Sequence, residues 1–410
     1  DVYNYYNNKK EWKDKLLKAV NLLEYSGAPE KIKKENIDKL YGNTIKTSVS
    51  RLEQYSACPF SYYIKYGLKL SERDIFKIQT IDTGNFMHDV IDDFFGMEEA
   101  KDIKNITDEQ IEKIVNRIID QKLELKKNYI FTNVPKNKVL VNRLRRVIAK
   151  SMKYIVDSIR YSDFNVLGHE VEFGMGKEYE PIQVKLDNGN LLVIVVKIYR
   201  GDIINNDKDK YIRIIDYKSS IKDIDLNEVK AGIKLQLLTY MNEMCKQESA
   251  EPAGAFYYNL IEPMVKASQN MSDEQIEEEL RKQFKMRGLI LADVDIIRKI
   301  YKNLDTCSSN IIPATINKDE TLSKKASNIT KQQFEYLQKY TNKIIKQISE
   351  EILSGNINIK PYYNTKNKKT PCEYCTYKSI CHFENGICNK EYNYISNLEK
   401  EAILEMMKEK

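Results

Sequence analysis

Cysteine, proline and glycine are all scarce in this 410-residue chain, at 7, 9 and 15 residues. So few cysteines cannot staple a chain of this length, which excludes a disulfide-built secreted scaffold. So little glycine and proline excludes collagen-like and mucin-like architectures, and 28 tyrosines exclude bulk disorder. Long apolar runs are missing too. The longest aliphatic stretch, residues 191–196, is far shorter than the ~20 residues a membrane helix needs, so no membrane partner is expected. Neither sign of charge dominates: 66 Lys and Arg against 60 Asp and Glu leave +6, so any anion-binding surface must be local. No export signal opens the chain, which begins Asp-Val-Tyr-Asn-Tyr-Tyr. A cytoplasmic location is expected, and the missing initiator Met suggests a fragment of a longer protein. A phosphate-binding Gly-x4-Gly-Lys-Ser/Thr loop is also lacking. Gly174-Met-Gly-Lys177 is followed by Glu178 and its first glycine is wrongly spaced, so ATP hydrolysis is not expected.

What is present is a globular balance, 42% hydrophobic and 31% charged, with ample material for a core. Trp12, Leu16, Val20 and Leu23 recur at helical spacing, and Gly27 with Pro29 stops that helix. Ser50-x-x-Glu53 reads as a capping box before a short helix that Pro59 helps to end. A helix over about 84–95 carries Phe86, Val90, Ile91 and Phe94 on one side. Two long amphipathic helices follow, one with Ile111, Ile114, Ile118 and Leu123, the other with Val139, Leu144, Val147 and Ile148. The texture then changes. Residues 166–173, 181–186, 191–198 and 211–217 read as strands, with an Asp187-Asn-Gly189 turn and a polar 205–210 hairpin loop between them. A helix over 226–246, a strand over 253–260, three or four helices within 273–353 and a Cys-rich tail complete the pattern. The chain divides into a helical lead-in (1–45), a helical region (46–165), a sheet core with its helix (166–265), a second helical region (266–358) and the tail (359–410). Hairpin-linked strands with one helical crossover predict an α/β fold around a mixed sheet.

The sharpest chemistry lies at the end of the 211–217 strand. Side chains alternate along a strand, so Asp216 and Lys218 share one face and Tyr217 takes the other. A carboxylate beside an ammonium at a strand end suits metal-assisted phosphodiester hydrolysis: the acid holds a hard cation and the lysine positions water or steadies phosphate charge. A plain surface ion pair is the competing reading. Gln236 and Tyr240 lie one turn apart on the next helix and could be aimed at Asp216, or be a solvated Gln and a core-edge Tyr. His88, on an otherwise apolar helix after Gly84, is either catalytic or structural.

Asp216-Tyr-Lys218, Gln236-x-x-x-Tyr240 and Gly84-x-x-x-His88, in this order, resemble the RecB-type branch of the PD-(D/E)xK nucleases. Ser48-Val-Ser-Arg-Leu-Glu53, Cys58-Pro-Phe60, Tyr66-Gly-Leu68 and the terminal cysteines narrow the resemblance to the nuclease regions of AddAB-type ATP-dependent helicase/nuclease complexes, over about 41–394. The resemblance implies a restriction-endonuclease-like sheet and Mg²⁺-dependent DNA hydrolysis. It also implies catalytic roles for Asp216, Lys218, His88, Gln236 and Tyr240, and a place in double-strand-break repair and recombination. The partners it implies are single-stranded DNA emerging from a helicase and AddA, the helicase-nuclease motor subunit of such complexes. One departure stands out. The family places a metal-binding Asp before the Asp-Tyr-Lys strand; here Val196-Lys-Ile-Tyr199-Arg-Gly-Asp202 matches, with Tyr199 at that position. Tyrosine is neutral at pH 7 and a poor Mg²⁺ ligand. The expectation is a nuclease fold with weakened metal binding and impaired activity, or a catalytically silent DNA-binding and subunit-docking module. Asp202 could substitute only if a bulge near Gly201 re-aims it, because a regular strand turns it to the opposite face. Glu172, before Phe173-Gly174, is the other acidic candidate for the metal.

Cys372-x2-Cys375-x5-Cys381 is a metal-site spacing. The fourth ligand is either Cys388, which would close a local zinc site, or the distant Cys58. By the resemblance, Cys58, Cys372, Cys375 and Cys381 hold a 4Fe-4S cluster that clamps the two ends of the domain together. Cys245 and Cys307 read as small core residues, and Cys388 and His382 as spare. Phosphate contacts could come from Arg143, Arg145, Arg146 and Lys150 on the long helix, or from Lys366, Lys368 and Lys369 before the cysteines.

Overall fold

A computed structural model describes residues 2–23, 29–42, 44–73, 75–206, 209–265, 271–323, 327–386 and 390–408. Gly27, Cys388 and the tip of the 205–210 loop lie outside these residues. The centre is a six-stranded mixed sheet in the order β2-β5-β6-β7-β8-β9. Its strands are β2 (Asn165–Phe173), β5 (Val196–Asn206), β6 (Asp209–Lys218), β7 (Glu251–Asn259), β8 (Arg287–Leu291) and β9 (Asn328–Ile329). β2, β5 and β6 run antiparallel in turn, β6 and β7 are parallel, β7 and β8 antiparallel, and β8 and β9 parallel. The expected mixed sheet is therefore present, and the helical crossover between β6 and β7 supplies one of its two parallel pairs.

A second sheet was not legible in advance. β1 (Thr44–Thr47), β4 (Leu191–Ile194) and β3 (Ile182–Lys185) form three strands of their own. The Asp187-Asn-Gly189 turn does close an antiparallel β3–β4 hairpin, with Gly189 at φ 84°. The aliphatic run 191–198, however, is two strands and not one. Val195 separates them, 51% exposed, with its N–H donated to the Thr47 carbonyl at 3.0 Å.

The 226–246 helix is likewise two helices, Leu226–Lys230 and Gln236–Glu248. Gly232 breaks it at φ 75°, and a Cβ there would meet Ser56 Oγ at 2.6 Å. The break makes Gln236 the first residue of the second helix, beside the end of β6. That helix packs across β6 and β7. The opposite face of the sheet meets the long helix Asn137–Arg160, where Tyr258 donates to the Ser151 carbonyl at 3.3 Å. Thr80–Gly96, Asp108–Glu124 and Asn137–Arg160 pack on one another, burying Phe86, Val90, Phe94, Ile111, Ile118, Leu144 and Ile148. Thr107 and Gln110 form a reciprocal capping box at the start of the second of these. Ser50 and Glu53 do not form one. Their helix is Val49–Ala57, with Ser48 at its N-cap, and Glu53 reaches elsewhere. Pro59 opens the next helical turn, Pro59–Tyr62.

Candidate active site and the four-cysteine cavity

Strand register builds the site. β5–β6 pairing runs from Asn206↔Asp209 to Arg200↔Ile215, and the next step sets Tyr199 beside Asp216. On the other flank Asp216 pairs with Tyr257. Alternation turns these side chains to one face, under the Gln236–Glu248 helix. Lys218 Nζ lies 2.8 Å from Asp216 Oδ2 and 3.5 Å from Gln236 Oε1. Gln236 Nε2 donates to the Tyr240 hydroxyl at 2.8 Å. Asp216, Lys218, Gln236 and Tyr240 are thus one cluster. Asp216 is 1% exposed and neither of its oxygens accepts a hydrogen bond, although the ammonium stands at ion-pair distance. Burial pushes its pKa up, against the pull of Lys218.

His88 comes to the same place from the Thr80–Gly96 helix. Gly84, whose missing Cβ would sit 3.2 Å from Ser219 Oγ, lets this helix lie close to the residue after Lys218. The imidazole stacks on Tyr199, ring centroids 4.2 Å apart and planes 23° apart. Burial first, then Lys218, lower its pKa to about 4, so it is neutral at pH 7, and its buried Nδ1 has no hydrogen-bond partner. The Tyr199 phenol is pushed up to about 12 by burial, then by Asp216 and Glu170. A neutral ring stacked on a neutral ring therefore occupies the position beside Asp216.

Both proposed acidic substitutes fail. Asp202 lies on the opposite face of the sheet, and no bulge interrupts β5 against β6 to turn it. It is fully buried, accepting from Arg200 Nε and Nη2 at 2.7 and 2.6 Å and from Arg213 Nε at 2.7 Å. Those two guanidiniums outweigh burial and hold its carboxyl below the ordinary range. Glu172 is half-buried and ion-paired to Lys177 at 2.5 Å, level with Lys197 and not with Tyr199. The acid that does approach is Glu170. The β2–β5 register (His169↔Arg200, Val171↔Ile198) sets it beside Tyr199, with φ 51°. It pairs with Lys197 at 2.6 Å and raises Asp92 to about 6, burial of Asp92 being the larger cause. No periodicity could select Glu170 over Glu172, because a left-handed residue breaks the alternation on which such a count rests.

Glu53 caps a helix other than its own. Its Oε1 accepts the backbone N–H groups of Leu235 and Gln236 at 2.7 and 2.8 Å, at the start of the helix that carries Gln236 and Tyr240. Burial pushes its pKa up to about 7, against those two hydrogen bonds and Lys218.

The donor set does not suit a hard divalent cation. Such an ion needs several anionic oxygens. Asp216 offers one buried carboxylate already at ion-pair distance from Lys218, Tyr199 offers a neutral phenol, and Glu170 is engaged with Lys197. Among the described residues no three His, Cys, Asp or Glu side chains stand close enough to hold one metal ion.

At the other end of the Val49–Ala57 helix, Cys58, Cys372, Cys375 and Cys381 line one cavity of about 660 Å³, all as free thiols, although no three of them stand close enough as placed to hold one metal ion. Cys58 is buried, which pushes its thiol up to about 11. Cys245 is buried as expected, but Cys307 is exposed and no core residue. The helical basic residues are engaged internally: Arg143 and Arg146 on Glu262, Arg145 on Asp120, Lys150 on Glu277. Lys366 and Lys369 instead line a cavity of about 1060 Å³ that reaches Lys218 and Gln236.

A mixed sheet with an Asp-x-Lys strand end, faced by Gln, Tyr and His from two helices, defines a nuclease-type phosphodiester site. A model of the PD-(D/E)XK nuclease superfamily matches residues 46–382, and the chain belongs to that superfamily. It is similar to proteins named as the B-subunit of an ATP-dependent helicase/deoxyribonuclease. One from Thermoanaerobacter sp. (strain X514) is 38% identical over 99% of this chain and 36% of its own length. Those from Caldanaerobacter subterraneus subsp. tengcongensis and Clostridium novyi (strain NT) are each 38% identical, over 98% and 100% of this chain and 35% and 36% of their own. The chain thus spans about a third of the length of these relatives. No helix among the described residues is long and apolar enough to cross a membrane.

Proposed function

We propose that this chain is the DNA-handling nuclease domain of an AddAB-type helicase/nuclease complex, with hydrolysis impaired by Tyr199. It receives a single strand emerging from the helicase, works beside the AddA helicase-nuclease motor, and serves double-strand-break repair and recombination in the cytoplasm. Asp216 is the remaining metal carboxylate and Lys218 the group that steadies phosphate charge. Gln236 orients Lys218, Tyr240 orients Gln236, and His88 lines the site as a neutral base or donor. Magnesium is the natural cation of such a site, and with Tyr199 in place the donor set does not suit it.

The observation that carries this reading is the Tyr199 ring beside Asp216, stacked on His88. It removes a carboxylate and leaves the rest of the cluster in place. The test compares Mg²⁺-dependent cleavage of single-stranded DNA by this chain and by its Tyr199→Asp variant. The variant is expected to cut and the present chain to cut poorly. Efficient cutting by the present chain, abolished by Asp216→Ala, would sink the impairment. Failure of both to cut while both bind DNA would favour the silent binding module.

The four cysteines are proposed to hold a 4Fe-4S cluster of structural role. Their support is the single cavity shared by one N-terminal and three C-terminal thiols. A crosslink over so long a loop restrains the unfolded chain.

A further inference from the structure

We infer that the groove leading away from Lys218 is a phosphate track for single-stranded DNA, formed by Lys222, Lys366 and Lys369. This deepens the reading of the chain as a DNA-handling domain, and rests on it only for the identity of the polyanion.

The three lysines come from two distant segments, the loop after β6 and the tail before the cysteines, yet line one cavity with Lys218. All three are exposed, and none has an ion-pair partner among the described residues. That sets them apart from the helical Arg143, Arg145, Arg146 and Lys150, whose charge is matched by Glu262, Asp120 and Glu277. Of the six acids that share the groove, three are occupied. Glu53 is held by two backbone N–H groups. Asp225 caps its own helix through the Asn227 N–H at 2.9 Å. Glu228 pairs with Lys234 at 2.6 Å and accepts from Asn364 Nδ2 at 2.9 Å. Asp223, Glu399 and Glu401 line the groove as well, so incoming phosphates are met by these three lysines and not by a groove of net positive charge.

The track is also preorganised. Asn364 Oδ1 accepts the N–H groups of Lys366 and Asn367 at 3.0 and 3.3 Å, and the Asn364 N–H donates to the Lys369 carbonyl at 2.9 Å. This turn is fastened to the groove floor by the same Asn364–Glu228 bond. Lys222 is fastened through its backbone N–H to Asn259 Oδ1 at 2.8 Å. Its ammonium is held below the ordinary lysine range, by desolvation from the surrounding groove walls first and then by Lys234 and Lys218. Like charges crowded this way gain from a polyanion, which an evenly solvated surface would not.

The test is the salt dependence of binding. Anisotropy of a labelled oligothymidylate is measured against the intact chain across a salt series. Removing one phosphate contact to a single strand lowers the slope of log K against log salt by about 0.7. Lys222→Ala/Lys366→Ala/Lys369→Ala is therefore expected to lower it by about 2 and to weaken binding at low salt. Arg143→Ala/Arg146→Ala is expected to leave it unchanged. An unchanged slope in the triple variant, with an intact thermal melt, overturns the track; so does a drop confined to the arginine variant. Neither outcome depends on cleavage, so failure of Tyr199→Asp to restore activity is read separately.

Discussion

Removing the Asp202 carboxylate tests whether this acid holds the sheet together or serves the site. Arg200 and Arg213 are each 1% exposed and both bond Asp202, which is itself fully buried. Arg200 engages it through two nitrogens, and Arg213 also donates to the Ile300 carbonyl at 3.3 Å and lies over the Phe164 ring, 5.0 Å from its centroid. Asp202→Ala leaves two buried guanidiniums side by side with no counter-ion. Breaking a buried ion pair in this way costs about 3–5 kcal/mol. The assay is urea unfolding followed by circular dichroism. The variant is expected to unfold at markedly lower urea, with an unchanged slope. The triple replacement Arg200→Met/Asp202→Leu/Arg213→Met is expected to recover much of the loss, since an apolar triad of similar volume removes all three charges at once. The sign with pH follows from the lowered carboxyl pKa. Stability from Asp202 is complete above the ordinary Asp value and is lost as pH falls through the depressed one; the alanine variant lacks that acid-side loss. A cost under about 1 kcal/mol in Asp202→Ala, against that 3–5 kcal/mol expectation, would refute the reasoning.

Glu53→Ala leaves the N–H groups of Leu235 and Gln236 without their acceptor and is expected to cost about 2 kcal/mol, while Glu53→Gln keeps an acceptor oxygen. Because Glu53 is raised to about 7, stability falls as pH climbs from the ordinary glutamate value to about 7, and chemical unfolding of Glu53→Gln should show that slope flattened. His88, lowered to about 4, contributes stability that is complete above the ordinary histidine value and lost as pH falls toward 4; its ring resonances in NMR should titrate near there, and a midpoint above about 6 would contradict the stacked, buried placement. Anaerobically purified protein is expected to carry stoichiometric iron and acid-labile sulfide. Cys58→Ser should abolish both and Cys388→Ser neither, whereas stoichiometric zinc in colourless protein would count against the cluster.

What could be read in advance was whatever depends on local pattern. Asp216 and Lys218 share a face because alternation is a property of the strand itself, and Gln236 and Tyr240 meet because one helical turn separates them. The β3–β4 hairpin follows from its Asp-Asn-Gly turn. What could not be read depends on register and on distant chain. The run 191–198 looks continuous, yet its halves pair with different partners, β1 on one side and β2 with β6 on the other. Glu53 spaces like a local cap, but its acceptor geometry is satisfied 182 residues away. Basic residues on the long helix look like a nucleic-acid face until Glu262, carried in from beyond β7, closes over Arg143 and Arg146.

The single departure at position 199 also bears on how the proposed impairment leaves the cluster intact. An aspartate there would stand among Asp216 and Glu170 in a largely buried space, and several buried carboxylates need a cation to coexist. The tyrosine removes that demand: its ring stacks on neutral His88, and Lys218 lies 5.9 Å from the ring centroid. The present site is then self-sufficient without metal, and Tyr199→Asp exchanges that independence for metal dependence. The variant should melt below the present chain when divalent ions are chelated, and regain stability as Mg²⁺ is added, following the logarithmic rise expected of a ligand that binds only the folded state. A variant that melts at the same temperature with and without Mg²⁺ would mean that the restored carboxylate does not complete a site with Asp216, and that Tyr199 is not what keeps the cation away.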